Sequence, residues 1–260
     1  MRCAFSWATR PAATSCGPHA GALTGGDIAC AVAAPHAVRL LLGDVMGHDK
    51  RAAQTAAEVS RAFRRIAVQP YPLHVIAARL HAFVANHVDG EEFVTAQFIS
   101  IPNGDENPPQ IVCCGHPPPL LLRDGQVTQL DTPPSPPLGL LDMVGFEPHA
   151  DLLGARPGDS VLFYTDGVSE AYDAGGRPYP LAERAVALSA RARTASRAEE
   201  AVDHLPELLH DDLLDHVGGN LRDDATLLYL RFANEQVGHG QARKAESPAT
   251  EVTPAPVVCT

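Results

Sequence analysis

The sequence has 260 residues, of which 45% are hydrophobic and 20% charged. These proportions are typical of a globular protein that is large enough to bury a substantial core. The formal net charge of −11 argues against nucleic acid or an anionic membrane surface as the main partner, and no apolar stretch reaches the roughly 20 residues that a membrane span needs.

The first half of the chain contains patterns for two strands followed by two helices. Residues 1–24 carry no clear periodicity, so their structure is left open. Apolar runs at residues 28–34 and 38–44 flank a Pro-His break and predict two paired strands. Apolar residues then recur with helical spacing over residues 52–66 and 73–88, which predicts two helices that pack on a sheet.

The second half is richer in strand and turn signals. Further strands are predicted at residues 93–101, 110–114, 120–123, 126–130, 160–165 and 225–232. The Asp-Gly pair at 124–125 is a strong hairpin signal. Two more helices are predicted at 181–193 and 197–216, and Pro206 is expected to kink or break the second. The element order and the hairpin signals predict an α+β fold with antiparallel sheets.

We expect one domain over residues 1–232, followed by a disordered tail over residues 233–260. The tail is rich in Pro, Ala, Thr and Glu and shows no periodicity. The 6 cysteines show no Cys-x-x-Cys spacing, and we expect no signal peptide. The pattern therefore predicts a reduced cytoplasmic protein with buried thiols, and neither a disulfide scaffold nor a zinc site.

Acidic residues stand at the ends of several predicted strands, usually beside glycine. They are Asp27 in Gly-Gly-Asp, Asp44 in Gly-Asp-Val-Met-Gly-His, Asp166 in Thr-Asp-Gly-Val, and Asp223 and Asp224 in Asp-Asp-Ala-Thr. An Asp-Gly pair taken alone most often marks a turn. Several carboxylates at strand ends, without the ligand spacing of Cys or His sites, indicate oxygen ligands for Mg²⁺ or Mn²⁺. Two such ions, roughly 3.5–4 Å apart, activate water and neutralise a phosphoryl group.

The motifs also occur in a familiar order. Gly-Gly-Asp (25–27), Gly-Asp-Val-Met-Gly-His (43–48), Cys-Gly-His-Pro-Pro-Pro-Leu (114–120), Tyr-Thr-Asp-Gly-Val-Ser-Glu (164–170) and Asp-Asp-Ala-Thr (223–226) follow one another along the chain. Together they resemble the PPM metal-dependent protein serine/threonine phosphatases, in particular the bacterial SpoIIE/RsbU branch. The resemblance implies an αββα sandwich, in which two antiparallel sheets are flanked by helices. It also implies a centre of two Mn²⁺ or Mg²⁺ ions and hydrolysis of phosphoserine or phosphothreonine by a metal-activated water.

The resemblance also implies roles for single residues. The implied metal ligands are Asp27, Asp44, the backbone carbonyl of Val45, Asp166, Asp223 and Asp224. Asp44 is expected to bridge both ions, and Asp166 and Asp223 to hold the second. Asp27 is expected to act directly or through a metal-bound water. Asp44 and Asp166 are also the expected catalytic residues.

Two histidines belong to these motifs. His48 follows the Asp44 turn and is the expected catalytic acid that protonates the leaving serine oxygen, with a solvated loop histidine as the alternative. For His116 a structural hydrogen-bonding role at a turn is favoured over catalysis. Two features depart from the usual family pattern, namely residues 28–30 (Ile-Ala-Cys) and the extra acid Asp49.

Members of this branch usually act on a phosphorylated anti-sigma-factor antagonist with a STAS-type domain. The resemblance therefore implies a role in bacterial partner switching. Two alternatives stay open. One is a non-catalytic binding module with a phosphatase fold, which Asp49 and residues 28–30 favour slightly and the intact acids oppose. The other is a hydrolase of small phosphoesters.

Overall fold

The computed structural model describes residues 3–10, 25–47, 49–87, 92–104, 107–133, 135–195 and 204–232. Its strands are β1 (Cys3–Arg10), β2 (Asp27–Ala34), β3 (Ala37–Val45), β4 (Val94–Pro102), β5 (Gln110–Cys114), β6 (Leu120–Arg123), β7 (Gln126–Gln129), β8 (Asp151–Leu152), β9 (Ser160–Tyr164) and β10 (Ala225–Phe232). Its α-helices are α1 (Lys50–Ala67), α2 (Leu73–His87), α3 (Asp166–Ser169), α4 (Leu181–Ala195) and α5 (Leu205–His216). A short 3₁₀ helix covers Leu141–Val144.

The strands form two antiparallel sheets of five strands each. The first sheet has the order β1-β10-β9-β6-β7, and the second has the order β2-β3-β4-β5-β8. Apolar side chains of α1 and α2 pack on the second sheet, and those of α4 and α5 pack on the first. The expected αββα sandwich is therefore confirmed.

Strand β3 shows why the sheets occupy the middle of the molecule. Leu40 and Leu42 pack into the core between the two sheets, whereas Leu41 packs into the core beneath α1 and α2. Successive residues of a strand point to opposite faces, and both faces of this strand are covered. A continuous apolar run is the pattern that such a strand requires, and it is present at residues 40–42.

Several predicted elements differ from the structure. Strand β1 was not predicted, although it pairs with β10 over eight residue positions. Helix α5 begins at Leu205 and not at residue 197, and Pro206 lies in its first turn. The expected kink or break at Pro206 takes the form of a helix start, because a proline in the first turn lacks only an N–H group that has no partner within the helix. The earlier part of that predicted helix lies outside the described residues, as does the tail.

Within the described residues, no helix is long and apolar enough to cross a membrane. Cys30 and Cys114 are buried free thiols, and Cys113 is a half-buried one. Burial raises the pKa of the Cys114 thiol to about 12. Cys114 therefore behaves as an inert core side chain at neutral pH.

The core between the sheets yields the first prediction. Leu228, fully buried in β10 opposite Phe163, belongs to that core. Replacing Leu228 with Ala leaves a cavity that close packing cannot refill, so we expect the free energy of unfolding to fall by about 2–5 kcal/mol. Urea denaturation measures the loss. The matched control is Leu152→Ala at a side chain that is 64% exposed, where a change within about 0.5 kcal/mol is expected. Equal losses in the two variants would contradict the assignment.

Candidate metal centre

The second sheet brings two of the predicted carboxylates together. Asp27 is the first residue of β2, and Asp44 is the last but one of β3. The strands pair with Asp27 directly opposite Asp44. Directly opposed residues project from the same face of a sheet, so the two side chains are neighbours. Asp27 is buried and Asp44 is half-buried.

The first sheet brings the other carboxylates to one end of its strands. Asp166 begins α3 just after β9, and Asp223 and Asp224 immediately precede β10. Because β9 and β10 are antiparallel neighbours, the end of one lies beside the start of the other. The Thr165 N–H donates to the Thr226 carbonyl at 3.1 Å and continues the ladder there. Asp166 is half-buried, Asp223 is exposed and Asp224 is buried.

Hydrogen bonds to Asp27 join these two halves of the site. The hydroxyl of Thr165 donates to Asp27 Oδ2 at 3.0 Å, and the hydroxyl of Thr226 donates to the same oxygen at 2.6 Å. Asp27 belongs to the second sheet, and the threonines flank the acidic residues of the first. The carboxylates of both sheets therefore meet at one edge of the sandwich.

Glycines allow the backbone to come this close. A Cβ atom at Gly25 would overlap the carboxylate of Asp224, and one at Gly167 would overlap the Asp224 carbonyl. A Cβ atom at Gly26 would lie 2.7 Å from the Val45 carbonyl oxygen, closer than real side chains pack. The Gly26 carbonyl accepts a hydrogen bond from the Val45 N–H at 3.1 Å. Only glycine fits at these three positions, because any side chain there would collide with Asp224 or Val45.

The electrostatics of the site follow from the closeness of its acidic side chains. We call Asp27, Asp44, Asp166, Asp223 and Asp224 the acidic cluster. Burial raises the pKa of Asp44 to about 9, and repulsion from the other four members adds to the shift. Burial raises the pKa of Asp27 to about 7, although its hydrogen bonds favour the charged form. Burial, followed by repulsion from Asp223, also raises the pKa of Asp166.

The chemistry of the acidic cluster fits a hard divalent cation. Mg²⁺ and Mn²⁺ take carboxylate and carbonyl oxygens as ligands, and their charge would offset the burial and repulsion that raise these pKa values. Within the described residues, no three Asp, Glu, His or Cys side chains are already gathered tightly enough to hold an ion. The individual ligand roles, including that of the Val45 carbonyl, therefore stay predictions. His48 lies outside the described residues.

Comparison with known proteins decides the family. A family model described as Stage II sporulation protein E (SpoIIE) matches residues 34–233, which is well over half of the chain. The chain belongs to the SpoIIE family. The expected place in the SpoIIE/RsbU branch of the PPM phosphatases is confirmed. Asp27 lies just before the matched range.

Solved structures agree with the SpoIIE assignment. The crystal structure of the RsbU and RsbW domains of Rv1364c from Mycobacterium tuberculosis is 27% identical, with a TM-score of 0.69, over 88% of this chain and 60% of that chain. The PP2C phosphatase domain of SpoIIE from Bacillus subtilis, with a fragment of its regulatory domain, is 15% identical, with a TM-score of 0.66, over 90% of this chain and 64% of that chain. RsbX in complex with magnesium is 13% identical, with a TM-score of 0.60, over 89% of this chain and 96% of that chain. The chain thus spans less than two thirds of the first two structures.

His116, in the third SpoIIE-like motif, lies between the two sheets. Its Nδ1 lies 2.9 Å from the hydroxyl of Thr95, which stands directly opposite Asp44. Burial lowers the pKa of His116 to about 3, and a hydrogen bond with the Tyr164 backbone offsets this only in part. The ring is therefore neutral at physiological pH. These contacts favour the structural hydrogen-bonding role over proton transfer.

The two departures from the usual SpoIIE pattern have local structural reasons. Asp49 caps α1, because its Oδ1 accepts hydrogen bonds from the N–H groups of Arg51 and Ala52, both at 2.9 Å. Ile28 and Cys30 are buried in the core beneath α1 and α2. Neither feature indicates a change in the chemistry of the site.

Three threonines of the site were not singled out from the sequence. They are Thr165, Thr226 and Thr95. Two of them stand inside the quoted motifs, Thr165 directly before Asp166 and Thr226 two residues after Asp224. The position of Thr165 and Thr226 beside acids at strand ends was a signal that they belong to the site. Their shared partner was not readable, because Asp27 is 138 and 199 residues away in sequence.

The raised pKa values predict how stability depends on pH. Folding raises the pKa of Asp44 from 3.8 to about 9 and that of Asp27 from 3.8 to about 7. The folded state therefore binds these protons more tightly than the unfolded chain does. In EDTA, the free energy of unfolding should fall as the pH rises from about 4 to about 9. Asp44→Asn should flatten this slope and make the protein more stable at about pH 8, by about 1 kcal/mol or more.

Urea denaturation between about pH 5 and pH 9 tests this prediction. The control is Asp124→Asn at the exposed tip of the β6–β7 hairpin, where φ is 52°. Asn tolerates that backbone conformation, and the change removes the same charge far from any like-charged cluster. A wild-type protein that becomes more stable over this range in EDTA, or a control as strong as Asp44→Asn, would contradict the prediction.

Proposed function

We propose that this chain is a metal-dependent protein phosphatase that hydrolyses phosphoserine or phosphothreonine. The observation that carries the proposal is the meeting of carboxylates from two sheets at one edge, where burial and mutual repulsion raise the pKa values of Asp44, Asp27 and Asp166. Such a cluster is costly unless a cation neutralises it. Membership of the SpoIIE family supports the same chemistry.

The proposed ligands divide between the two sheets. Asp27, Asp44 and the Val45 carbonyl would come from the second sheet, and Asp166, Asp223 and Asp224 from the first. Two bound Mn²⁺ or Mg²⁺ ions would activate a water and neutralise the phosphoryl oxygens. Magnesium is present in the RsbX structure, and the oxygen-only donor set agrees with either ion.

Side chains of the site would also position the reacting groups and transfer a proton. Asp44 and Asp166 are held at strand ends, which keeps their oxygens in place while the substrate reacts. A phosphomonoester carries negative charge, so the acidic cluster repels it until the cluster is neutralised. This repulsion makes the proposed activity strictly metal-dependent. His48, by our prediction, gives a proton to the leaving serine oxygen.

The proposed substrate is a phosphorylated protein, namely a STAS-type antagonist of an anti-sigma factor. The structure of Rv1364c joins an RsbU domain to an RsbW domain, which supports a role in partner switching. Asp223 and Met46 are exposed beside the buried acids, so within the described part of the chain a phosphorylated loop on another protein could reach this edge. We place this reaction in the cytoplasm of a bacterium.

Neither alternative gains support from a specific contact. The binding-module hypothesis relied on Asp49 and on residues 28–30, whose contacts are those of a helix cap and of strand residues in the core. A small-molecule phosphoesterase would need a closed pocket that recognises the rest of its substrate. The choice between a protein and a metabolite substrate is therefore left to the assay.

The assay is hydrolysis of p-nitrophenyl phosphate in Mn²⁺, in Mg²⁺ and in EDTA. We expect turnover with either metal and none in EDTA. Asp44→Asn and Asp166→Asn should each reduce kcat at least about a hundredfold, because each removes a ligand that carries charge. Asp124→Asn is the matched control and should keep full activity.

The outcomes separate the hypotheses. A folded protein without turnover in any metal would contradict the enzyme and favour the binding module. Turnover on metabolites but not on a phosphoserine protein would favour the small-molecule esterase. Release of phosphate from a phosphorylated STAS-domain protein, lost in Asp44→Asn, would support the full proposal.

A further inference from the structure

A single oxygen atom receives hydrogen bonds that cross between the sheets at the acidic cluster. Asp27 Oδ2 accepts from the Thr226 hydroxyl at 2.6 Å and from the Thr165 hydroxyl at 3.0 Å. The Thr165 hydroxyl in turn accepts from the Thr226 N–H at 2.9 Å. We call these three residues and their hydrogen bonds the threonine brace.

The direction of each hydrogen bond follows from counting protons. A threonine hydroxyl has one proton to donate. Because an ionised carboxylate can only accept, the Thr165 proton is aimed at Asp27. The Thr226 proton is aimed at the same carboxylate oxygen. Oδ2 thus accepts from two donors.

Water cannot replace these bonds. Thr165 and Thr226 have no exposed surface, and Asp27 is 4% exposed. A charge-assisted hydrogen bond in such a dry place is stronger than one at the surface, and losing a donor there leaves the carboxylate oxygen unsatisfied. The brace therefore holds a rigid geometry.

The brace lies at the joint between the two halves of the proposed site. Asp27 stands opposite Asp44 in the second sheet. In the first sheet, Thr165 directly precedes Asp166, and Thr226 follows Asp224 by two residues. Any shift of one sheet against the other at this edge would have to stretch the brace.

We propose that Thr165 and Thr226 are positioning residues, whose hydroxyls hold Asp27 and so set the spacing between the carboxylates of the two sheets. They are not metal ligands and do not touch the substrate. The proposal rests on the proposed function in so far as that spacing serves metal binding. The hydroxyl groups hold Asp27 through their hydrogen bonds, and the methyl groups contribute only packing.

The test replaces each threonine by Val, which keeps the shape and removes the hydroxyl, and by Ser, which keeps the hydroxyl. Mn²⁺ binding is measured by titration calorimetry, and stability by urea denaturation in EDTA. We expect Thr165→Val and Thr226→Val to raise the Kd for Mn²⁺ at least about tenfold, and the Ser variants to stay within about threefold of the wild type. Thr128→Val, at an exposed position of β7, is the control and should bind as the wild type does.

Two results would overturn the proposal. One is wild-type Mn²⁺ affinity in both Val variants. The other is a Ser variant as impaired as its Val counterpart, because packing of the methyl group would then explain the loss. If a Val variant does not fold, Thr226→Cys is compared with Thr226→Ser, since the two differ only in the donor atom. Equal Mn²⁺ affinity in that pair would also overturn the proposal.

Failure of the proposed function can be told apart from failure of the brace. If the wild type binds no Mn²⁺, the metal centre is wrong, and the brace is judged in EDTA by a double-mutant cycle of Thr226→Val with Asp27→Ala. Thr226→Val reduces the folding equilibrium constant by one factor in the wild type and by another in the Asp27→Ala background. If the brace exists, the factor in the Asp27→Ala background is at least about tenfold smaller. Additive effects in the cycle would overturn it.

Discussion

Repulsion among carboxylates is the constraint on which this structure depends. The acidic cluster brings five carboxylates to one edge of the sandwich, where burial makes their charges harder to screen. An isolated loop would relax and spread such charges apart. Here each acid stands at or next to the end of a strand whose other residues are fixed in a core, so the packing of the whole sandwich opposes that relaxation.

The cluster depends on contacts at three scales. The pairing of β2 with β3 places Asp27 opposite Asp44, and the pairing of β9 with β10 does the same for the ends that carry Asp166 and Asp223. Glycines let Asp224 lie against the backbone of its neighbours. The threonine brace then joins the two sheets. Each scale is needed, because strand pairing alone leaves the sheets free to shift relative to each other.

Local patterns in the sequence predicted much of this arrangement. The apolar runs around residues 35–36 predicted two paired strands, and the structure adds the register that places Asp27 opposite Asp44. Pattern reading failed where the deciding contact is distant or depends on context. Strand β1 forms by pairing with β10 at the other end of the chain. A proline breaks a helix when it lies in the interior, but it is tolerated in the first turn, which is where Pro206 lies.

The brace shows the same limit within the site itself. A threonine beside an aspartate is unremarkable in a strand, where β-branched residues are common. Only the packing of the two sheets brings Thr165 and Thr226 to one oxygen of Asp27. The motifs thus indicated which acids take part, whereas the residues that hold them in place became visible through the tertiary structure.

The division of the cluster between two sheets links its chemistry to its stability. A ligand that binds only the folded state stabilises that state in proportion to its affinity. A cation held by Asp44 from one sheet and Asp166 from the other would bind only while the sheets stay in register. Metal binding and the packing of the sheets are then thermodynamically coupled. A loss of packing between the sheets, even far from the edge, would therefore also weaken the binding of the ion. In such a molecule the core between the sheets would contribute to metal binding, although none of its residues is a proposed ligand.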